Sequence, residues 1–221
     1  MPRFDTACLF VRVCTEEIPP VHEVFNIIKE ACHSETEYVG GPSEGKRRCT
    51  KKIRRAVQRG SKVDQPGPDG ATPLMSAVLA RKPLGVAALL ELGAELLRDA
   101  EGRTPLDVAA ELGHVDVVSA MLTEHKTAHD PQELSPIDGL APIHRAAAGE
   151  TEGHALVVEE MLRHGVDVRL KSAEGQTPLD CVISQKVGNA ATRRILGAGL
   201  KGLLPSHEQL WPQGAGAKLD L

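Results

Sequence analysis

The 221-residue sequence predicts an all-α fold in which short helical hairpins stack side by side as a solenoid. Three observations carry this. A segment that opens on an acidic residue and glycine and runs into Thr-Pro or Ala-Pro recurs four times. It reads DGATPLMSAVLA from Asp69, EGRTPLDVAAEL from Glu101, DGLAPIHRAAAG from Asp138 and EGQTPLDCVISQ from Glu174. Its prolines, Pro73, Pro105, Pro142 and Pro178, stand 32, 37 and 36 residues apart, the length of one supersecondary unit. A second apolar run at helical spacing follows each copy, in VAALLELGAEL, VDVVSAMLTEH, LVVEEMLRHGVDV and ATRRILGAGL.

Each unit then reads as turn, short helix, loop, longer helix. The Asp-Gly or Glu-Gly pair predicts the turn. Thr72, Thr104 and Thr177 stand at N-cap positions, and the proline after each suits a first helical turn. Ala141 replaces threonine in the third unit, so that helix is expected to lack its capping oxygen. Gly93, Gly165 and Gly199 are expected to end the second helices at positive φ, a place held by His125 in the second unit. One hairpin cannot bury its own apolar stripe, but stacked neighbours can. The core between units is therefore assigned to Leu74, Ala77, Leu106, Ala109, Ala110, Ile143, Ala146, Ala147, Leu179 and Val182 on the first helices. Leu89, Val117, Val158 and Ile195 join it from the second helices.

Composition agrees and excludes several functions. Hydrophobic residues make up 41% of the chain, enough to fold, but aromatics make up only 2%. They are Phe4, Phe10, Phe25, Tyr38 and Trp211, which argues against a base-stacking single-strand binder and an aromatic-rich pocket. Twenty-six Lys and Arg against 30 Asp and Glu give a net charge of -4, so the molecule as a whole is no polycation. Five widely spaced cysteines without a CxxC pair speak against a secreted disulfide framework and for a reducing, intracellular setting, cytoplasmic or nuclear. The apolar start MPRFDTACLFVRVC is broken by Arg12 and fits neither a secretory signal nor a spanning helix, and no membrane span is expected elsewhere.

The repeated segments resemble the ankyrin repeat, with its DGxTPLHxAAxxGH pattern and trailing GADVN. The fullest copy is Gly102-Arg103-Thr104-Pro105-Leu106-Asp107-Val108-Ala109-Ala110 followed by Gly113-His114. The resemblance spans roughly residues 60–199 and implies protein binding without naming a partner. Gly60-Ser61-Lys62-Val63-Asp64 matches the GADVN place, so residues 51–59 look like the second helix of an earlier unit. Residues 22–30 have helical apolar spacing and look like another second helix or a helical cap. Residues 34–46 have loop composition, and Phe4 to Val13 fits strand and helix patterns equally. This divides the chain into a divergent cap over 1–50, a repeat domain over 51–199, and a C-terminal cap and mobile tail over 200–221, with Trp211 laid on the last repeat.

Two places depart from the regular spacing. The hairpin KTAHDPQELSPID between the second and third units carries about four extra residues, and Glu150-Thr151-Glu152-Gly153 lengthens the inter-helix loop of the third unit.

Chemistry-bearing constellations are absent from the pattern. His22, Cys32, His33 and Cys49 lack paired zinc-ligand spacing, and no nucleophile elbow, HExxH, P-loop or dinucleotide fingerprint occurs in a fitting context. No enzyme, metal or cofactor is expected. The resemblance implies that His144 and His114 hydrogen-bond neighbouring loops. Asp107 and Asp180, at the histidine position of two units, read as solvated or helix-start residues.

The expected function is non-catalytic recognition of a protein partner, as an adaptor, scaffold or accessory subunit. Hairpin tips and free edges of first helices remain for the partner: Asp69, Ala71, Leu79, Glu101, Arg103, Glu111, Leu112, Asp138, Leu140, Ala148, Glu174, Gln176, Ser184 and Gln185. These are the positions of the family's concave face. Their acidic excess points to a partner with basic or donor groups and a small apolar anchor meeting Leu79 or Leu112. Glu111 reads as a free surface residue, so its reversal is expected to leave folding nearly unchanged.

A second reading rests on charge. Lys46, Arg47, Arg48, Lys51, Lys52, Arg54, Arg55, Arg59 and Lys62 fall in one acid-free run over 46–62. Residues 1–65 hold 12 basic and 9 acidic groups, net +3, and the remainder holds 14 and 21, net -7. The run reads as a solvated face of a capping helix, as a nuclear-import signal, or as a contact with nucleic acid or another anionic surface on an RNA- or lipid-rich assembly. Without interleaved aromatics, such a contact is to phosphate.

Overall fold

The computed structural model describes residues 23–31, 42–67, 70–124, 130–184 and 189–202. Ten helices lie among them: α1 Glu23–Ala31, α2 Pro42–Gln58, α3 Pro73–Leu79, α4 Pro83–Glu91, α5 Pro105–Glu111, α6 Val115–Glu124, α7 Pro142–Ala148, α8 Glu152–Arg163, α9 Pro178–Ser184 and α10 Ala190–Leu200. No strand occurs among the described residues. The helices pack in two rows. The odd-numbered ones follow one another from α1 to α9, the even-numbered ones from α2 to α10, and each hairpin joins one of each. This is the stacked, all-α solenoid that the repeats predict.

The threonine caps form as the spacing requires. Thr72 Oγ1 accepts the amide of Met75 at 3.1 Å. Thr104 Oγ1 accepts the amide of Asp107, while Oδ2 of Asp107 accepts the Thr104 amide at 2.8 Å. Thr177 and Asp180 repeat the arrangement. Ala141 has the same extended backbone, φ -88 and ψ 162, and no side-chain bond. All the residues assigned to the core are buried except Leu179, which packs half-buried against it.

Several expectations change. Residues 42–46 are helical, because Pro42 suits a first turn and Glu44 sits near the positive end of the dipole, paired with Arg47 and Arg48. The boundary expected at residue 50 therefore falls inside α2. Residues 23–31 form α1, which stacks on α3 in the odd row. It is the first helix of the unit that α2 completes, and not a second helix. The third unit has no longer inter-helix loop. Gly149 to Thr151 is as short as Ala80 to Lys82, and the extra residues lengthen α8 to 12 residues against 9 in α4 and 10 in α6, close to one added turn. The glycines at positive φ after even-numbered helices are Gly60, Gly93, Gly165 and Gly202. Gly199 lies inside α10, where its flank faces Leu162 and Val168.

The hairpin tips are held by backbone bonds. Asp99 donates to the carbonyl of Arg103 and Ser172 to that of Gln176, each at 2.9 Å, whereas Ser135 donates to Leu140, one residue further along. The wider tip lifts Ile137 to 66% exposure. Gly139 leaves no room for a side chain, since a Cβ there would lie 2.2 Å from that of Ala173, whose amide donates to the Gly139 carbonyl.

Cys49 is buried and disulfide-bonded, while Cys181 is a free buried thiol. The alternatives offered for Phe4 to Val13, the tail from residue 203, His22, Cys32 and His33 lie outside the described residues. No helix among the described residues is long and apolar enough to cross a membrane.

Candidate functional site

Tips and odd-row helices carry a connected network of charge. Nη2 of Arg103 lies 2.8 Å from Oδ2 of Asp99 and 3.3 Å from Oε2 of Glu101, and its Nη1 lies 3.1 Å from Oε2 of Glu111. On the next unit, Nη2 of Arg145 lies 2.5 Å from Oδ2 of Asp138, Nη1 lies 3.9 Å from Oε2 of Glu111, and Nε lies 3.3 Å from Oδ1 of Asp107. Glu111 thus bridges two repeats. Two guanidiniums among five carboxylates leave the network negative.

The electrostatics follow from this geometry. Burial pushes the Asp99 carboxyl up, but the backbone and guanidinium bonds of Arg103 outweigh it and hold the group below its ordinary range. Burial likewise pushes the Asp138 carboxyl up, but the Leu140 amide, the Ser135 hydroxyl and Arg145 outweigh it and hold the group below its ordinary range. Arg103 is held above its ordinary value: burial works against this, and the bond to Asp99 leads the causes that exceed it.

Histidines brace the face. The Ala141 amide donates to Nδ1 of His144 at 3.2 Å, so Nε2 carries the proton and faces the carbonyls of Leu170 at 3.0 Å and Gln176 at 3.1 Å. His114 places Nδ1 3.3 Å from the Val78 carbonyl. His144 takes the loop-bonding role the family resemblance implies, whereas His114 faces a carbonyl in the last turn of α3 and not a loop. His154, in the added turn of α8, places Nε2 2.7 Å from the Glu111 carbonyl and so fixes the end of α5 from which Glu111 projects.

Among the residues expected to meet a partner, Glu101, Arg103, Glu111 and Asp138 are brought together through Arg145. Leu79 is 56% and Leu112 is 44% exposed. Ala71, Leu140 and Ala148 are half-buried. Glu174 and Gln176 face each other at the fourth tip, where the amide nitrogen of Gln176 lies 3.4 Å from the carboxylate, and Ser184 is exposed with its hydroxyl donating to the Cys181 carbonyl. Asp69 and Gln185 lie outside the described residues. Arg145, Asp99 and the exposed Ile137 and Ile183 escaped sequence reasoning. Arg145 had a signal: its place in the first helix holds Ser76, Val108 and Cys181 in the other units, so it alone is charged there. Asp107 is 2% exposed, a buried capping residue and not a solvated one.

The basic run divides. Lys46 and Arg54 lie 3.5 and 3.8 Å from Glu91 of α4, Arg47 and Arg48 pair with Glu44, and Arg59 pairs with Glu23. Lys51, Lys52, Arg55 and Lys62 are exposed.

Comparison with known proteins supplies the family. A model of ankyrin repeats in three copies matches residues 44–133, and an ankyrin-repeat model matches residues 138–173. The matched span begins within α2, and α9 and α10 extend both rows beyond it. The chain is 26% identical to human (Homo sapiens) SMC5-SMC6 complex localization factor protein 1 over 176 residues, 78% of this chain and 16% of that protein. It is 39% identical to Ankyrin repeat domain-containing protein 63 of Mus musculus over 106 residues, 46% of this chain and 25% of the relative. It is 34% identical to NF-kappa-B inhibitor delta of Mus musculus over 114 residues, 51% of this chain and 32% of the relative. The chain therefore spans about a third or less of each of these relatives. The capped hairpins, their two-row stacking and the repeat models agree: this chain belongs to the ankyrin-repeat family.

Proposed function

We propose that the chain is a non-catalytic protein-binding module, an adaptor, scaffold or accessory subunit, that takes its partner on the face made by the hairpin tips and the ends of the odd-row helices. The observation that carries this is Glu111, held between Arg103 and Arg145 and tied through its backbone to His154, beside the exposed Leu112. A preorganised charge next to an aliphatic side chain matches what an interface needs, because little side-chain freedom is lost on binding. The network's negative balance favours a partner that brings basic or donor groups, with an apolar residue to cover Leu112 or Leu79. Relatives named as an NF-kappa-B inhibitor and a complex localization factor support a role exercised on another protein.

The test places a photoreactive residue at 112 or 183 in one set of full-length chains and at Thr123 or Arg194 of the even row in another. Cross-links to a common protein from the first set alone support the reading, and Leu112→Asp then weakens that partner by about tenfold or more. Cross-links confined to the even row would sink it.

A further inference from the structure

We propose that the exposed side of α2 is a sequence-independent binding surface for duplex nucleic acid, contacted through its phosphates. This surface is separate from the tip face and does not depend on its role. One side of α2 is spent on the core: Cys49, Thr50, Ile53 and Ala56 are buried. The other carries cations in helical register. Arg47, Lys51 and Arg55 follow at i, i+4 and i+8, with Arg48 and Lys52 beside them, along about 12 Å of helix at 1.5 Å per residue. Like charges at these spacings destabilise a helix. Nearby acids relieve part of this: Glu44, Glu91 and Glu23 engage Arg47, Arg48, Lys46, Arg54 and Arg59. Lys51, Lys52, Arg55 and Lys62 are exposed and have no ion-pair partner among the described residues. A cap that served only solubility would be better made of mixed charges.

The composition of this side selects the ligand. A helix that lies on a bilayer inserts an apolar face, and the apolar residues of α2 are turned into the core. A protein interface has a centre depleted of charge and rich in large apolar groups, which this side lacks. Single-strand binders stack bases on aromatic side chains, and the one aromatic among the described residues, Phe25, is buried. A duplex asks only for cations along a rod, since it presents one negative charge per about 1.7 Å of axis.

The test is fluorescence anisotropy of the full chain with a labelled 25-base-pair duplex, two unrelated sequences, the corresponding single strands, and separately phosphatidylserine vesicles, at 50 to 300 mM salt. The expected result is equal affinity for both duplexes, weaker binding of single strands and vesicles, and a log–log salt slope of about -3 from the three unpaired cations of α2, Lys51, Lys52 and Arg55. The variant Lys51→Gln/Lys52→Gln/Arg55→Gln, checked for folding by circular dichroism, should reduce the slope by about one per residue removed and the affinity at 100 mM salt by roughly tenfold or more. Absence of duplex binding at 50 mM salt, tighter binding of single strands or vesicles, or an unchanged slope in the folded variant each overturns the proposal.

Discussion

Nε of Arg145 lies 3.3 Å from Oδ1 of Asp107 across the seam between α7 and α5, and neither atom is aligned in a hydrogen bond. Both side chains are largely buried, 9% and 2% exposed. The other carboxylate oxygen of Asp107 is committed to the Thr104 amide and hydroxyl, and among the described residues Arg145 is the cation that faces Oδ1. Removing one member of a buried pair leaves a charge without compensation, which costs about 3–5 kcal/mol in buried cases. Arg145→Ala should therefore destabilise by about 3 kcal/mol in urea unfolding. Arg145→Met combined with Asp107→Asn should recover much of that loss. A double variant no more stable than the single one would show that the pair is not the source.

Glu111 illustrates why charge assignments along a sequence mislead. It reads as a free surface acid because it falls on the free edge of a first helix, yet it touches the guanidiniums of both Arg103 and Arg145. Glu111→Lys places a third cation between them. Its expected cost is about 1 kcal/mol, above the ±0.5 kcal/mol of ordinary surface swaps. Glu111→Gln should cost about half as much. Equal urea midpoints for wild type and Glu111→Lys would contradict this account and restore the neutral expectation.

The fold was legible because the repeat encodes it redundantly: a turn glycine, a capping threonine, a proline and two apolar stripes recur at each unit and point to the same hairpin. Element ends were less legible. Pro42-Ser43-Glu44-Gly45 is made of residues common in turns, so the fit of Pro42 and Glu44 to a first helical turn is outweighed in composition and stands out only with α2 packed against α4. The added turn of α8 was misread as loop for the same reason, with His154 anchoring it to the preceding unit. The site was half legible. Repeat positions located the tips and helix edges, but the Arg145 network depends on which side chains meet across units about 35 residues apart, and no periodicity in one sequence encodes that pairing.

Ala141 has the backbone of a capped position without the cap. Its φ and ψ match those of Thr72 and Thr104. Ala141→Thr should supply the missing oxygen to the amide of His144 and raise stability by about 0.5–1 kcal/mol. Thr104→Ala should cost about 1–2 kcal/mol, because the hydroxyl also donates to Asp107. A lower melting temperature for Ala141→Thr would mean that the buried site, fully enclosed in the fold, has no room for the added atoms.

His144 should set the first acid-sensitive step in stability. Burial lowers its proton affinity below the ordinary value, with the Leu170 and Gln176 carbonyls only partly opposing. Desolvation lowers His114 in the same way. The unfolded chain takes up protons on both residues as pH falls through about 6.5, while the folded chain resists. More protons are then bound in the unfolded state, so stability declines as pH drops from 7.5 toward 5. Asp99 and Asp138, whose folded carboxyls are held low, add their loss only nearer pH 4 and below. Protonation of His144 also removes the acceptor that receives the Ala141 amide. His144→Gln should be less stable at pH 7.5 but lose less of its stability down to pH 5, read as a flatter dependence of the urea midpoint on pH. An identical dependence in the two proteins would assign the acid step elsewhere.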